Sequence, residues 1–273
     1  MIKNDFQKEI LFPNTLKRSG MNNAKEVKKL QSWLTLFEMA NKGSGTALNI
    51  DGLFGPATET AVKKYQQIMT LPQTGIVDNS LFQRLISPLI AAFTIPSDEV
   101  LLRDKIVKLA FNHLKQEPFE LTIGKNSNSG PWVRSYMDGK EGEDQLWCLG
   151  FTQTIIDQAA SEIAKDFRKI MPKSNFCDDL GNDGIRTGRL TKNNIWKLNP
   201  NIAKPGDIFL LYDPNPAILW HHVGIIIKAN HEIIETIEGN SNTDGSDNGY
   251  GVFNRIRNFH TSNLDLFTID DLV

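Results

Sequence analysis

The spacing of apolar residues changes along the chain, and this change restricts the fold more than any other feature. In the first part, apolar residues recur every three or four positions, which is the period of an amphipathic α-helix. Towards the end, short apolar runs bounded by turn residues are typical of β-strands. A chain of 273 residues with this pattern is expected to form an α+β protein of one or two domains.

The apolar pattern also predicts individual elements and a domain division. Predicted helices span residues 24–39, 57–69, 81–86 and 101–116, with a further helix from about residue 148. Predicted strands span residues 208–212, 222–227, 233–238 and 250–257. Prolines at 88 and 96 disfavour a continuous helix there. We therefore predict an N-terminal tail (1–15), a small all-α three-helix domain (16–90), a linker (91–104) and a second domain (105–273).

Composition excludes several classes of protein. No stretch approaches the roughly 18 apolar residues of a transmembrane helix, and the first residues lack the apolar region of a secretory signal. A net charge of −2 argues against a dedicated nucleic-acid-binding protein. Two cysteines are too few for a disulfide scaffold. Residues 15–90 have a mild basic excess that fits an anionic partner, although solvated helix faces would produce the same count.

The predicted three-helix domain contains a faint internal repeat. The pentapeptide VKKLQ at 27–31 returns as VKKYQ at 62–66, and each copy is followed by a turn that contains glycine. This region contains three successive motifs, V-x-x-LQ-x-x-L, DG-x-FG-x-x-T-x-x-AV-x-x-YQ and L-x-x-TG-x-VD. In these motifs it resembles the bacterial peptidoglycan-binding domain of the three-helix type. The resemblance covers about residues 16–90 and implies peptidoglycan as the partner. Most of these residues are expected to build the fold; Asp51, Gly52, Thr58 and Tyr65 are the candidates for contact with a glycan.

Cys148 lies where the most strongly periodic predicted helix begins. Phe151, Ile155, Ala159 and Ile163 form its apolar stripe, so Cys148 lies at or just before the helix N-terminus. That end of a helix favours a thiolate and offers N–H donors to an oxyanion. Cys148 is therefore a candidate nucleophile, although a free cysteine is often only a small buried apolar residue.

The second cysteine, Cys177, lies in a stretch that we predict to be a loop, and we expect it to be structural. A disulfide between Cys148 and Cys177 would remove the candidate nucleophile, and the lack of a signal peptide argues against it.

A hairpin formed by strands 222–227 and 233–238 would supply a base and a residue that orients it. If a three-residue loop is centred on Asn230, paired residue numbers sum to 460 and His222 lies opposite Glu238 on one face. A different loop length would separate the faces. Glu238 and Asn240 are then the polar residues nearest His222, whereas His221 would point to the other face. A thiol, a histidine and a polar orienting residue are the parts of a cysteine hydrolase site.

The ordered motifs WC-x-x-F, KPGDI, HHVGI, IEGN-x-N and GYGVFNR-x-R resemble the CHAP family of cysteine- and histidine-dependent amidohydrolases and peptidases. The resemblance covers about residues 105–258 and implies a papain-like α+β fold. It further implies Cys148 as nucleophile, His222 as general base, Glu238 as the residue that orients the histidine and Asn240 as a further polar site residue. Trp147, beside the nucleophile, is assigned to substrate binding. Neither a cofactor nor a metal is assigned.

These features together predict a two-domain peptidoglycan hydrolase that cleaves an amide bond in the peptide part of the wall. The alternatives are a non-catalytic peptidoglycan-binding protein, a metal-dependent amidase, and an acyltransferase or transpeptidase that uses the same cysteine and histidine. Synthesis in the cytoplasm and action in the periplasm or cell wall are expected, after lysis or specialised secretion. A phage-type endolysin and an exported antibacterial effector both fit, and an effector would need a neutralising immunity protein.

Overall fold

A computed structural model describes residues 1–213, 219–244 and 248–269, and within these ranges the chain is a mixture of helix and sheet, as predicted. The helices are α1 (Phe6–Ile10), α2 (Ala24–Ala40), α3 (Pro56–Ile68), α4 (Asn79–Leu85), α5 (Ser87–Thr94), α6 (Leu102–Lys115), α7 (Pro131–Tyr136), α8 (Cys148–Glu162), α9 (Cys177–Thr187) and α10 (Asn193–Trp196). The strands are β1 (Leu121–Ile123), β2 (Asn126–Ser129), β3 (Leu190–Thr191), β4 (Ile208–Tyr212), β5 (Trp220–Ala229), β6 (Ile233–Ser241), β7 (Gly251–Asn258) and β8 (Leu264–Phe267).

The main sheet lies in the C-terminal part and carries α8 on one face. Among the described residues it has six antiparallel strands in the order β3-β8-β4-β5-β6-β7. Helix α8 packs against β5 and β6, and it is buried from Cys148 to Ala160. The contact is close because β6 has a glycine at 239: a Cβ there would lie 2.5 Å from Cβ of Phe151. This packing brings the start of α8 against the two central strands.

The N-terminal helices α2, α3 and α4 are held by two equivalent glutamines. Gln31 accepts a hydrogen bond from the N–H of Gly52 (2.9 Å), and Gln66 accepts one from the N–H of Gly75 (2.9 Å). Both glycines have positive φ angles, +82° and +68°, which side-chain-bearing residues rarely adopt. The repeated pentapeptide in the sequence is therefore a repeated helix-to-turn clamp.

The N-terminal helices and the sheet region share one apolar core. Trp33 of α2 meets Trp132 of α7 edge to face, with ring centroids 5.8 Å apart. Residues 1–15, taken from the sequence as a tail, contain α1 and lie against α7. There Glu9 accepts two hydrogen bonds from the guanidinium of Arg134 (2.8 and 2.9 Å).

Two segments differ from the sequence-based prediction. Residues 87–94, at the predicted domain boundary, form α5, because Pro88 lies in the first helical turn, where it initiates a helix instead of ending one. The predicted loop around Cys177 is wrong, since Cys177 is the first residue of α9. This helix contains Gly181 and Gly184, which are poor helix formers, but their small size lets the helix pack against Trp220 and Phe267.

A neutral histidine is built into the core between α6 and α8. His113 is completely buried; its Nδ1 lies 2.9 Å from the hydroxyl of Tyr136, and its Nε2 lies 3.1 Å from Oε1 of Gln158. Burial lowers the pKa of His113 to about 4, against a smaller opposing effect of the Gln158 hydrogen bond.

We predict that acid destabilises the fold through His113. The folded pKa lies below the unfolded value of 6.5, so the stabilisation is complete above pH 6.5 and is lost as the pH falls towards 4. The loss is on the order of 3 kcal/mol in the free energy of unfolding. Denaturant unfolding at several pH values should show a smaller acid loss for His113→Gln than for the wild type. The exposed His231 provides the control, His231→Gln, which should follow the wild type; equal acid losses in both variants would contradict the prediction.

Candidate active site

Cys148 is the first residue of α8, and Trp147 occupies the N-cap position. The cysteine is 2% exposed. In the first turn of a helix the backbone N–H groups have no intrahelical partners, and the helix dipole places partial positive charge there. This position favours a thiolate and supplies donors for a negatively charged oxygen.

His222 faces Cys148 from β5. Its ring is completely buried, and its Nε2 lies 2.8 Å from Oε2 of Glu238 on β6. Its Nδ1 makes no regular hydrogen bond within the described residues. Since Nε2 is occupied by Glu238, Nδ1 is the ring nitrogen available to the Cys148 thiol. The interaction between the thiol and the ring affects the protonation of both groups.

The surroundings favour opposite charges on the cysteine and the histidine. The Cys177 thiol lowers the pKa of Cys148 most, and His222 and the N–H of Val223 lower it further, against the effect of burial. Burial by itself lowers the pKa of His222, but interactions with Cys148 and Glu238 outweigh burial and raise that pKa to about 9. A thiolate beside an imidazolium is the reactive pair of a cysteine hydrolase.

Glu238 is fully buried, and both of its carboxylate oxygens are occupied. Oε2 lies near His222 and accepts a hydrogen bond from Arg257 (2.6 Å); Oε1 accepts hydrogen bonds from Arg257 and from the hydroxyl of Thr236, both at 2.6 Å. Burial by itself raises the pKa of Glu238, but the bonds from Arg257 and His222 hold it well below its ordinary value. The carboxylate therefore stays ionised and can orient a charged imidazole.

Arg257 on β7 belongs to this group of residues, although the sequence analysis does not single it out. It is the last residue of the GYGVFNR-x-R motif, but no pattern in the sequence assigns it a role. Its guanidinium donates a bidentate pair of hydrogen bonds to the carboxylate of Glu238 and lies 4.9 Å from the ring centroid of Phe209. An arginine in this geometry fixes the plane of the carboxylate.

The predicted hairpin register is wrong by two residues. Paired numbers sum to 463 next to the turn and to 462 beyond a bulge near Ile227, not to 460. Continued along the strands, this register places Gly224 and not His222 opposite Glu238. The side chains of His222 and Glu238 still lie on one face, because a shift of two residues preserves the alternation.

Gly224 leaves the space through which the carboxylate reaches the histidine. A Cβ at this position would lie 2.6 Å from Cγ of Glu238 and 2.7 Å from Cε1 of Phe209. The glycine of the HHVGI motif therefore permits the diagonal contact between Glu238 and His222.

His221 and Asn240 lie beside this group in different settings. His221 is the extra residue of a bulge, because Leu211 pairs with His222 and Tyr212 pairs with Trp220. Asn240 is fully buried and adopts a left-handed φ of 54°. Its Nδ2 donates to Oδ1 of Asn248 (3.5 Å), whereas its Oδ1 has no hydrogen-bond partner among the described residues.

Trp147, the residue assigned to substrate binding in the sheet region, lies in the core. Its ring is fully buried and stacks on Tyr136 with centroids 5.6 Å apart. Its Nε1 donates to Oε2 of Glu120 (2.9 Å). These contacts fix the start of α8 and so position the adjacent cysteine.

The four candidate binding residues of the helical region serve mainly as its framework. The side-chain amide of Gln31 donates to Asp51 (2.8 Å) and Thr58 (3.1 Å), and its oxygen holds the N–H of Gly52. Thr58 and Tyr65 are each 2% exposed, whereas Asp51 is exposed. The described residues contain no group of three or more His, Cys, Asp or Glu side chains arranged to hold a metal ion.

Residues 23–85 match the model of the peptidoglycan binding domain family. The match runs from the cap of α2 to the end of α4, and it supports the predicted association of the N-terminal region with peptidoglycan in the cell wall. No curated protein and no solved structure matches the chain. Within the described ranges, no helix has both the length and the apolar character needed to cross a membrane.

We predict that Arg257→Met lowers the free energy of unfolding by about 3–5 kcal/mol, because it leaves the buried Glu238 carboxylate without its arginine. The matched control is Arg255→Met, two residues away on β7, where the guanidinium donates to the carbonyl of Asn242. That change should cost about 1–2 kcal/mol. Denaturant unfolding measures both; an equal or smaller loss for Arg257→Met would contradict the assigned role.

Proposed function

We propose that this chain is a bacterial cell-wall hydrolase that cleaves an amide bond in the peptide part of peptidoglycan through Cys148, His222 and Glu238. In this proposal the C-terminal region has the CHAP-type, papain-like fold and the N-terminal helices hold the polymer. The match of residues 23–85 to a peptidoglycan binding domain supports the choice of substrate.

The observation that carries the proposal is the arrangement around His222. A cysteine at a helix N-terminus interacts with one side of the imidazole, and a buried carboxylate binds Nε2 on the other side at 2.8 Å. This arrangement supports the proposal because a hydrolytic triad is recognised by the geometry of its nucleophile, base and orienting group, whatever their order along the chain.

The proposed reaction begins with attack of the Cys148 thiolate on the amide carbonyl carbon. Backbone N–H groups at the start of α8 stabilise the tetrahedral oxyanion. The His222 imidazolium gives its proton to the departing amine as the C–N bond breaks, which leaves a thioester on Cys148. His222 then removes a proton from water and the resulting hydroxide attacks the thioester. The C–S bond breaks, a carboxylic acid leaves, and the Cys148 thiolate and the His222 imidazolium are restored. Glu238 remains ionised throughout and holds the ring.

The N-terminal region would increase the rate by keeping the enzyme on its polymer. A bound module raises the effective concentration of substrate at a linked site without changing the chemistry. Because Trp33 of α2 packs on Trp132 of α7, the helical region presents the polymer in a fixed orientation relative to the sheet region.

The biological setting that we propose is either release during lysis, as for an endolysin, or export as an antibacterial effector. An effector would require a neutralising immunity protein in the producing cell. Co-purification of such a protein with the Cys148→Ala variant from that cell would support the effector role, and its absence would favour the lysin.

We predict that the wild type releases soluble fragments from purified peptidoglycan and that Cys148→Ala does not, a loss of about 1,000-fold or more. Mass spectrometry of the fragments and their new termini identifies the bond that is cut. Fragments linked to an added amine would indicate acyl transfer. Identical release by Cys148→Ala would refute the thiol mechanism, and binding without release by the wild type would favour a binding-only protein.

The neighbouring histidines provide a matched pair for the same assay. His222→Ala should lower the rate by about 100-fold or more, because it removes the general base. His221→Ala should retain most of the activity, since His221 is the bulge residue and His222 is the one that binds Glu238. The reverse ranking would show that the base has been assigned to the wrong ring.

A further inference from the structure

The two cysteines of this chain meet at the candidate active site. The Sγ atoms of Cys148 and Cys177 lie 3.9 Å apart, and both thiols are free. Each is the first residue of a helix, Cys148 of α8 and Cys177 of α9. Two helix N-termini therefore converge on one pair of sulfur atoms, an arrangement that favours ionisation of one of them.

The second cysteine is held in place from several directions. The carboxylate of Asp178 accepts a hydrogen bond from the N–H of Trp220 (2.7 Å). Gly181, one turn further along α9, lies directly against the Trp220 ring, where a Cβ would come within 2.4 Å. The side-chain amide of Gln153 on α8 donates to the carbonyls of Pro172 (3.0 Å) and Ser174 (2.8 Å), in the segment that precedes α9. Cys177 is thus fixed beside Cys148 by the packing of α9 against β5 and by the hydrogen bonds from α8 to the segment that precedes α9.

The separation of the sulfur atoms is close to that needed for a bond. A disulfide requires an S–S distance of about 2.05 Å, so the two atoms must approach each other by roughly 2 Å, a distance within reach of side-chain rotation. The two thiols are only 2% and 7% exposed, which favours a small oxidant over a protein partner.

We propose that Cys177 is a resolving cysteine that converts oxidised Cys148 into a reversible disulfide when the protein meets a hydroperoxide. The Cys148 thiolate attacks one peroxide oxygen, the O–O bond breaks, and Cys148 becomes a sulfenic acid while hydroxide leaves and takes up a proton. The Cys177 thiol then attacks the sulfenic sulfur, the S–O bond breaks, and water leaves as the disulfide forms. In total, two thiols and hydrogen peroxide yield one disulfide and two waters.

This pairing would give the nucleophile two properties. The disulfide prevents Cys148 from attacking any substrate, and a thiol reductant restores the free Cys148 thiol. The reaction with Cys177 also consumes the sulfenic acid on Cys148 before a second peroxide molecule converts that sulfenic acid irreversibly to sulfinic acid. The effect on hydrolysis rests on the proposed function, whereas formation of the disulfide depends only on the two cysteines.

The test exposes the full-length, reduced protein to graded hydrogen peroxide and maps Cys148 and Cys177 by mass spectrometry without reduction. The wild type should form a peptide linked through Cys148 and Cys177 that dithiothreitol separates. Cys177→Ser, the nearly isosteric variant, should instead accumulate Cys148 sulfinic acid that dithiothreitol does not reverse. If Cys148 of the wild type forms sulfinic acid and no linked peptide appears, the proposal is overturned. This part of the test uses only the wild-type protein.

Peptidoglycan hydrolysis is measured on the same samples before and after reduction. Wild-type activity should disappear with formation of the linked peptide and return with dithiothreitol, whereas the treated Cys177→Ser protein should not recover its own starting activity. A linked peptide in a protein that was inactive before treatment would support the thiol pair while refuting the proposed hydrolase. Full activity of the linked form would overturn the inhibitory role of the disulfide.

Discussion

The buried carboxylate of Glu238 is the constraint around which the sheet is arranged. An ionised carboxylate without exposure to water is stable only if opposite charges and hydrogen bonds replace its hydration. Here Arg257 from β7 and His222 from β5 meet it from the two neighbouring strands. The order β5-β6-β7 and the glycine at 224 are both needed to bring the three groups together.

The position of Cys148 depends on a second close contact, between α8 and β6. Gly239 allows Phe151 to approach the strand, and the stacking of Trp147 on Tyr136 fixes the first turn of the helix. Groups of opposite charge then alternate along a series of contacts from Arg257 to Glu238, His222 and Cys148. Cys177, the first residue of α9, lies beside Cys148 at the end of this series, so the proposed oxidation would act on the same thiol as the proposed hydrolysis.

The sequence predicts the local elements well because they depend on short-range periodicity. The predicted spans of α2, α3 and α6 differ from the structure by about one residue at each end, and the predicted mixture of helix and sheet is confirmed. Contacts that depend on register or tertiary packing were not predictable in this way. The role of Arg257 depends on which residue of β7 faces Glu238, and α9 forms despite its glycines because they pack on Trp220 and Phe267. His222 and Glu238 share a face although the predicted register was wrong.

We propose that His222 helps to keep Cys148 ionised near neutral pH, and the pH dependence of alkylation by iodoacetamide tests this without any substrate. The rate is followed on the Cys148 peptide of the reduced protein by mass spectrometry, in the wild type and in His222→Ala. We expect a wild-type rate that changes little between about pH 6 and pH 8, and a variant rate that rises with pH over this range, because the thiol pKa moves towards its ordinary value of about 8.5 although Cys177 and the helix N-terminus still lower it. Superimposable profiles with that ordinary pKa in both proteins would contradict it.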